Sequence, residues 1–133
     1  MGFGWAQDTI RIDGPDQQIL QGVLRNRPAM VYVWATWCGP CREELPRIKQ
    51  FMAGHKLRII GLHLGGDWQG IGAYLQRENL TGLETYRIST TEARKLKLPG
   101  VPTSFVFDAK GKIVKTHYGP LTWETLLSLS RLR

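Results

Sequence analysis

The 133-residue sequence predicts an α/β fold, a mixed central β-sheet flanked by helices on both faces, and three observations carry that prediction. A continuous apolar run at 29–36 reads as a central strand buried on both faces, and 57–64 reads as a second central strand. Segments with apolar residues at helical spacing separate them from each other and from later strands, which implies parallel pairing through right-handed crossovers. Near the end, Ala109-Lys110-Gly111-Lys112 lies between two strand-like runs and predicts an antiparallel hairpin.

Taken in order, residues 8–13 alternate as a short strand before Gly14-Pro15 turns the chain. Ile19, Leu20, Val23 and Leu24 give a short amphipathic helix over 16–25, which Asn26-Arg27-Pro28 breaks. After the strand at 29–36, Leu45, Ile48, Phe51 and Met52 share one helical face until Gly54. Pro46 inside that helix predicts a kink, because it has no N–H for the carbonyl four residues earlier. The strand at 57–64 stops at Gly65-Gly66. Asp67 then caps a helix to about residue 79, with Ile71, Tyr74 and Leu75 inward. A short strand at 83–88 follows. Ser89 with Glu92 three residues later has the capping-box form and opens about two helical turns. Pro99-Gly100-Val101-Pro102 breaks the chain before strands at 103–108 and 113–118. Thr122 caps a last helix with Trp123, Leu126, Leu127 and Leu129 apolar.

The length fits a single domain over 1–133, with residues 1–7 read as flexible or as a leader left from expression. Hydrophobic residues make up 42% and charged residues 22%, an ordinary globular balance. No stretch approaches the roughly 18 apolar residues of a membrane span. The net charge is +7, but the basic residues are scattered and no Arg/Lys run interleaves with aromatics. Nucleic acid is therefore not an expected partner.

The chemistry concentrates in Trp37-Cys38-Gly39-Pro40-Cys41, which holds both cysteines of the chain. A bridge between them closes almost no loop, so its value is chemical rather than stabilising. C-x-x-C between a strand and a helix reads as a dithiol/disulfide redox pair. A zinc half-site and an inert pair are the competing readings. Zinc needs about four ligands, and His55, His63 and His117 do not lie at ligand spacing.

Trp34-Ala35-Thr36-Trp37-Cys38-Gly39-Pro40-Cys41, followed by Pro46 and much later by Val101-Pro102-Thr103, resembles the thioredoxin superfamily. Cys41-Arg42-Glu43-Glu44-Leu45-Pro46 matches the C-x-x-E-x-P pattern of its TlpA-like thiol–disulfide oxidoreductases. The segment 67–97 resembles the helix-strand insert that TlpA-like and cytochrome c maturation proteins carry before a cis-proline. The resemblance implies a thioredoxin-like fold and an enzyme that exchanges disulfides with protein partners, more as a reductant than as an oxidant. The Gly-Pro dipeptide resembles that of reducing thioredoxins, near about −270 mV, rather than strong oxidants near about −120 mV.

By that resemblance Cys38 is the attacking thiolate, favoured by the positive end of the helix, and Cys41 the resolving thiol. Gly39 and Pro40 keep bulk away and start the helix. Trp37 flanks the dithiol and shapes the partner surface, while Trp34 belongs to the core. Taken alone, Pro102 reads as a trans proline opening a strand, since only about 5% of X-Pro bonds are cis. The resemblance makes it the cis-proline, with Val101 and Thr103 beside it and the Val101 backbone offered to an extended client.

The proton acceptor is where the chain departs from its relatives. Thioredoxins place a buried Asp six residues before the first cysteine, and Tyr32 stands there. With a pKa near 10 it is no ordinary base at pH 7. Several TlpA-like relatives carry a Glu just after the second central strand, where this chain has Gly66. Asp67 is the adjacent carboxylate and equally a helix cap. Glu44 matches the motif better, although a glutamate in the second helical turn is expected to be solvated. His63 reads as a packed histidine.

The expected cofactor set is empty apart from the redox-active Cys38–Cys41 disulfide, with no metal. Expected partners are protein disulfide or dithiol clients and an upstream electron donor, with the protein a monomer. The resemblance implies a periplasmic or extracytoplasmic site, a cytoplasmic one being the alternative. A reading from another class, a metal carrier or a scaffold using the fold to dock a partner strand, stays open at this stage.

Overall fold

The structure, a computed structural model, describes residues 27–131 apart from positions 96 and 99. The strand read at 8–13 and the helix read at 16–25 lie outside the described residues. Those described form β1 (Ala29–Trp34), α1 (Gly39–Gly54), β2 (Ile59–Leu64), α2 (Trp68–Arg77), β3 (Glu84–Ile88), α3 (Thr90–Lys95), β4 (Thr103–Phe107), β5 (Ile113–Tyr118) and α4 (Trp123–Ser130). The boundaries follow local chemistry. Asp67 Oδ1 accepts the Gly70 N–H at 2.7 Å to start α2. Ser89 Oγ accepts the Glu92 N–H at 3.0 Å to start α3, and Thr122 Oγ1 accepts that of Thr125 at 3.1 Å to start α4. Asp108 Oδ1 takes the N–H groups of Lys110 and Lys112, closing the turn between β4 and β5. The second central strand begins at Ile59 rather than at 57, because Leu57 donates to the His55 carbonyl in a tight turn.

The strands form a five-stranded sheet in the order β3-β2-β1-β4-β5. β1 runs parallel to β2, with Met30 opposite Ile59 and Trp34 opposite His63, and β2 runs parallel to β3. β4 is antiparallel to both β1 and β5, so the sheet is mixed.

All six residues of β1 are buried, and period-two alternation divides them between two cores. Met30, Tyr32 and Trp34 enter the cluster built by Leu45, Ile48 and Phe51 of α1, Ile71 and Leu75 of α2, and Leu126 and Leu129 of α4. Ala29, Val31 and Val33 enter the other, with Ile60, Leu62, Phe105, Phe107 and Ala93 of α3. Helices therefore cover both faces, and the first cluster also contains Cys38 and Cys41. The active-site segment is thus an extension of the most buried strand. Leu126 is fully buried where α4 meets α1. Leu126→Ala is expected to lower unfolding stability by about 2–5 kcal/mol, read from urea denaturation. A loss under about 1 kcal/mol would show that α4 is only loosely docked.

Candidate active site

β1 ends at Trp34, and the next residues fold into a bend closed by the Cys38 N–H donating to the Ala35 carbonyl at 3.1 Å. Cys38 is the N-cap of α1 and has extended backbone angles. Its Sγ accepts the Cys41 N–H at 3.3 Å, in the place a Ser or Asp oxygen takes at other helix starts. The two cysteines are joined as a disulfide, with Cα atoms 5.3 Å apart. When the bond is reduced, the same N–H and the helix dipole stabilise negative charge on Cys38 Sγ. Cys41 is wholly buried, whereas Cys38 keeps 5% exposure and Trp37 beside it is 67% exposed. Gly39 and Pro40 are exposed in the first turn of α1.

The Val101–Pro102 peptide is cis. Pro102 and Thr103 are buried, and Val101 packs against the cluster that contains both cysteines. Thr103 Oγ1 donates to the Gly100 carbonyl, and the Pro102 carbonyl accepts from the Gly119 N–H, so both neighbours of the bond are tied down.

The expected solvated Glu44 is corrected by the structure: it is only 2% exposed. Three positions after Cys41, it lies on the same buried face of α1. Its burial is made possible by two donors from distant segments. The Tyr32 hydroxyl donates to Oε1 at 2.6 Å, and the Leu121 N–H donates to Oε2 at 2.9 Å. Arg47 bridges to the same loop by donating to the Leu121 carbonyl at 2.9 Å. Burial pushes the Glu44 carboxyl above the ordinary range, against the lowering pull of its hydrogen bonds and of Arg47. Burial also pushes the Tyr32 hydroxyl up, so it stays protonated and acts as a donor. Tyr32 is therefore not the base. Its hydroxyl instead holds the Glu44 carboxyl in place.

Asp67 lies elsewhere. Its carboxylate is engaged by the Gly70 N–H, and it borders a cavity of ≈ 330 Å³ together with Thr36, Arg42, His63 and Tyr74, apart from the Tyr32–Glu44–Leu121 cluster. His63 is buried, as a packed histidine should be, and burial lowers its pKa. Trp34 is fully buried, with its ring edge against His63. Sequence reasoning missed the link between Tyr32 and Glu44. The available signal was that both positions are inward-facing, Tyr32 on its strand and Glu44 on the cysteine face of its helix. Among the described residues, no group of three or more His, Cys, Asp and Glu side chains is arranged to hold a metal ion. None of their helices is long and apolar enough to cross a membrane.

A strand, a helix N-cap carrying one cysteine of a bonded pair, and a cis-proline segment packed against them define a thioredoxin-type dithiol site. The chain belongs to the thioredoxin-like family, whose model matches residues 26–113. It is 26% identical over 121 residues to sporulation thiol-disulfide oxidoreductase A of Bacillus subtilis, covering 86% of this chain and 72% of that one. It is 30% identical over 118 residues to the thiol:disulfide interchange protein DsbE of Escherichia coli, covering 85% of this chain and 63% of that one. A secreted Mycobacterium tuberculosis disulfide oxidoreductase superposes with a TM-score of 0.71 at 16% identity, over 96% of both chains, which shows the shared fold. Within the family, the Cys38–Cys41 pair and these relatives make the chain a TlpA-like thiol–disulfide oxidoreductase.

Glu44→Ala is expected to cost about 2–5 kcal/mol, because it strands the buried Tyr32 hydroxyl and Leu121 N–H. Glu44→Gln, whose oxygen can still accept the Leu121 N–H while its NH2 donates to the Tyr32 oxygen, should cost less; equal losses would refute the hydrogen-bond argument. Asp67→Ala should cost only about 1 kcal/mol, the usual value of an N-cap. The two shifted groups also give stability opposite pH slopes. Folded His63 refuses a proton that the unfolded chain binds near about pH 6.5, so its contribution rises with pH below that value and is lost on acidification. Folded Glu44 keeps a proton that the unfolded chain releases near about pH 4.3, so its contribution falls as pH rises above that value. Unfolding curves of Glu44→Gln should lack the second slope and keep the first.

Proposed function

We propose that the protein reduces disulfide bonds of partner proteins, with Cys38 attacking, Cys41 resolving and Glu44 taking the resolving thiol's proton. The observation that carries the reading is the asymmetry of the pair. Cys38 sits at the helix N-cap with its sulfur on the Cys41 N–H, while Cys41 is fully buried on the helix face that also carries the buried Glu44.

The cycle starts from the reduced dithiol. Cys38 thiolate attacks one sulfur of the client disulfide, the client S–S bond breaks, and the other client sulfur leaves as a thiolate. A mixed disulfide joins Cys38 to the client. Cys41 then gives its proton to Glu44 and attacks Cys38 Sγ, which forms the Cys38–Cys41 bond and releases the second client sulfur. Two electrons pass from the dithiol to the client. An upstream dithiol donor restores the reduced pair. Burial suits Glu44 to this step, because a carboxyl raised above its ordinary range is better matched to a thiol donor. Tyr32 and Leu121 keep its oxygens oriented.

Trp37, Gly39 and Pro40 would form the rim against which a client rests, and the Val101–Pro102–Thr103 backbone would receive it as an added strand. We further place the protein outside the cytoplasm, as the TlpA-like resemblance implies. The Gly39-Pro40 dipeptide supports the reducing direction.

Dithiothreitol-driven reduction of a protein disulfide should proceed with the wild type and fail with Cys38→Ser; equal rates would sink the assignment. Cys41→Ser should accumulate a mixed disulfide with the client, visible by mass. Glu44→Gln should leave the first attack unchanged and slow release of that mixed disulfide by about a hundredfold, the usual weight of a general base. An equilibrium potential near about −120 mV rather than about −270 mV would reverse the direction of electron flow.

A further inference from the structure

The His63 ring is held by two groups that leave it one protonation state. Nδ1 lies 2.8 Å from the Gly65 carbonyl, which can only accept, so Nδ1 carries the proton. Nε2 lies 2.9 Å from the Thr36 nitrogen, whose N–H can only donate, so Nε2 is the bare acceptor. Thr36 stands two residues before Cys38, inside the bend that links β1 to the active-site helix. The other anchor of that bend is the Cys38 N–H on the Ala35 carbonyl.

The surroundings are shaped for this ring. Gly65 and Gly66 have φ of +69° and +75°, the left-handed region that favours glycine. That turn delivers the Gly65 carbonyl to Nδ1. A Cβ on Gly66 would stand 3.1 Å from His63 Cε1, so the imidazole and a side chain at 66 compete for one space. This gives a physical reason for glycine at position 66. Arg87 clamps the turn by donating to the Gly66 carbonyl at 2.6 Å, and Trp34 packs edge-on with ring centroids 4.8 Å apart.

We propose that His63 is a positioning residue for the dithiol: its neutral imidazole holds the Thr36 amide and thereby fixes the bend that presents Cys38, and a proton on the ring releases that hold. The proposal rests on Cys38 being the attacking thiol. An imidazolium would point N–H at N–H, so the Thr36 hydrogen bond is lost outright rather than weakened. The cavity of ≈ 330 Å³ that reaches His63 and Thr36 provides the path for the proton. The ionisable groups facing it are Arg42 of α1, Tyr74, Arg77 and the capping Asp67 beside and within α2, and Arg87 of β3. Of these, the Arg87 guanidinium disfavours a charged ring, in the same direction as its burial. Acidification would therefore slow client attack through the loop, separately from its effect on the Cys38 thiolate.

The test follows the Thr36 amide and the His63 ring by nitrogen-15 NMR between pH 4 and 8. It also measures client-disulfide reduction divided by the Cys38 thiolate fraction, taken from iodoacetamide alkylation of the same protein. The expected ring signature at pH 8 is the neutral Nδ1–H tautomer, with the Thr36 amide shifting at the same midpoint as the ring. The corrected rate should fall about tenfold below that midpoint, the weight of one hydrogen bond. His63→Gln keeps an acceptor for Thr36 but cannot titrate, and its corrected rate should stay flat. His63→Leu should be about tenfold slow at every pH. A Thr36 amide that ignores the ring, or a His63→Leu rate equal to wild type throughout, overturns the proposal. If the ring stays neutral down to acid unfolding, the His63→Leu rate decides; if that variant does not fold, a corrected rate of His63→Gln that falls with the wild type overturns it. Wild type that reduces no disulfide at pH 8 would instead fail the oxidoreductase reading, while the NMR coupling between Thr36 and His63 is still read on its own.

Discussion

The buried carboxyl of Glu44 ties together the parts of the protein that make a site. Its two oxygens are satisfied by Tyr32 from β1 and by the backbone of Leu121 just before α4. A bare carboxyl at 2% exposure would be strongly penalised, so the helix can carry it inward only when strand and loop are both in place. One side chain therefore makes the docking of α1, β1 and the α4 loop mutually dependent. The arrangement also puts a titratable group on the Cys41 face of the helix, in a setting that raises its proton affinity.

The dithiol is supported from two directions that differ in kind. From beneath, the buried Glu44 carboxyl lies on the Cys41 face of the helix, held by the Tyr32 hydroxyl. From the preceding bend, His63 offers an acceptor to an amide and has its other nitrogen committed to Gly65. Both supports rely on β1, whose fully buried residues reach into two cores at once. A rigid strand feeding a helix start gives Cys38 a fixed backbone donor, the Cys41 N–H, and an end-of-helix field. Around this scaffold, the Trp37 side chain beside Cys38 is exposed.

Departures from the relatives' pattern become intelligible as paired changes. Tyr32 stands where the thioredoxin resemblance expects an aspartate, and its hydroxyl reaches the carboxyl of Glu44. Gly66 stands where the TlpA-like resemblance expects a glutamate, and a Cβ there would meet the His63 ring at 3.1 Å. In each case the apparent loss at one position is matched by a contact made at another, between residues remote in sequence or set by an unusual backbone angle. Asp67, which proximity in the sequence recommended, is occupied as a helix cap.

The sequence by itself determined the elements and the dithiol. Two runs rich in apolar residues announce buried strands, Asp67, Ser89 and Thr122 announce helix starts, and C-x-x-C between a strand and a helix announces redox chemistry, because each is a local pattern with a local physical cause. The placement of β4 antiparallel beside β1, the burial of Glu44 and the tautomer of His63 were decided only in the tertiary structure. A glutamate in the second turn of a helix is solvated unless distant donors meet it. Tyr32 and Leu121 do so from 12 and 77 residues away, separations over which no periodicity or capping rule carries information.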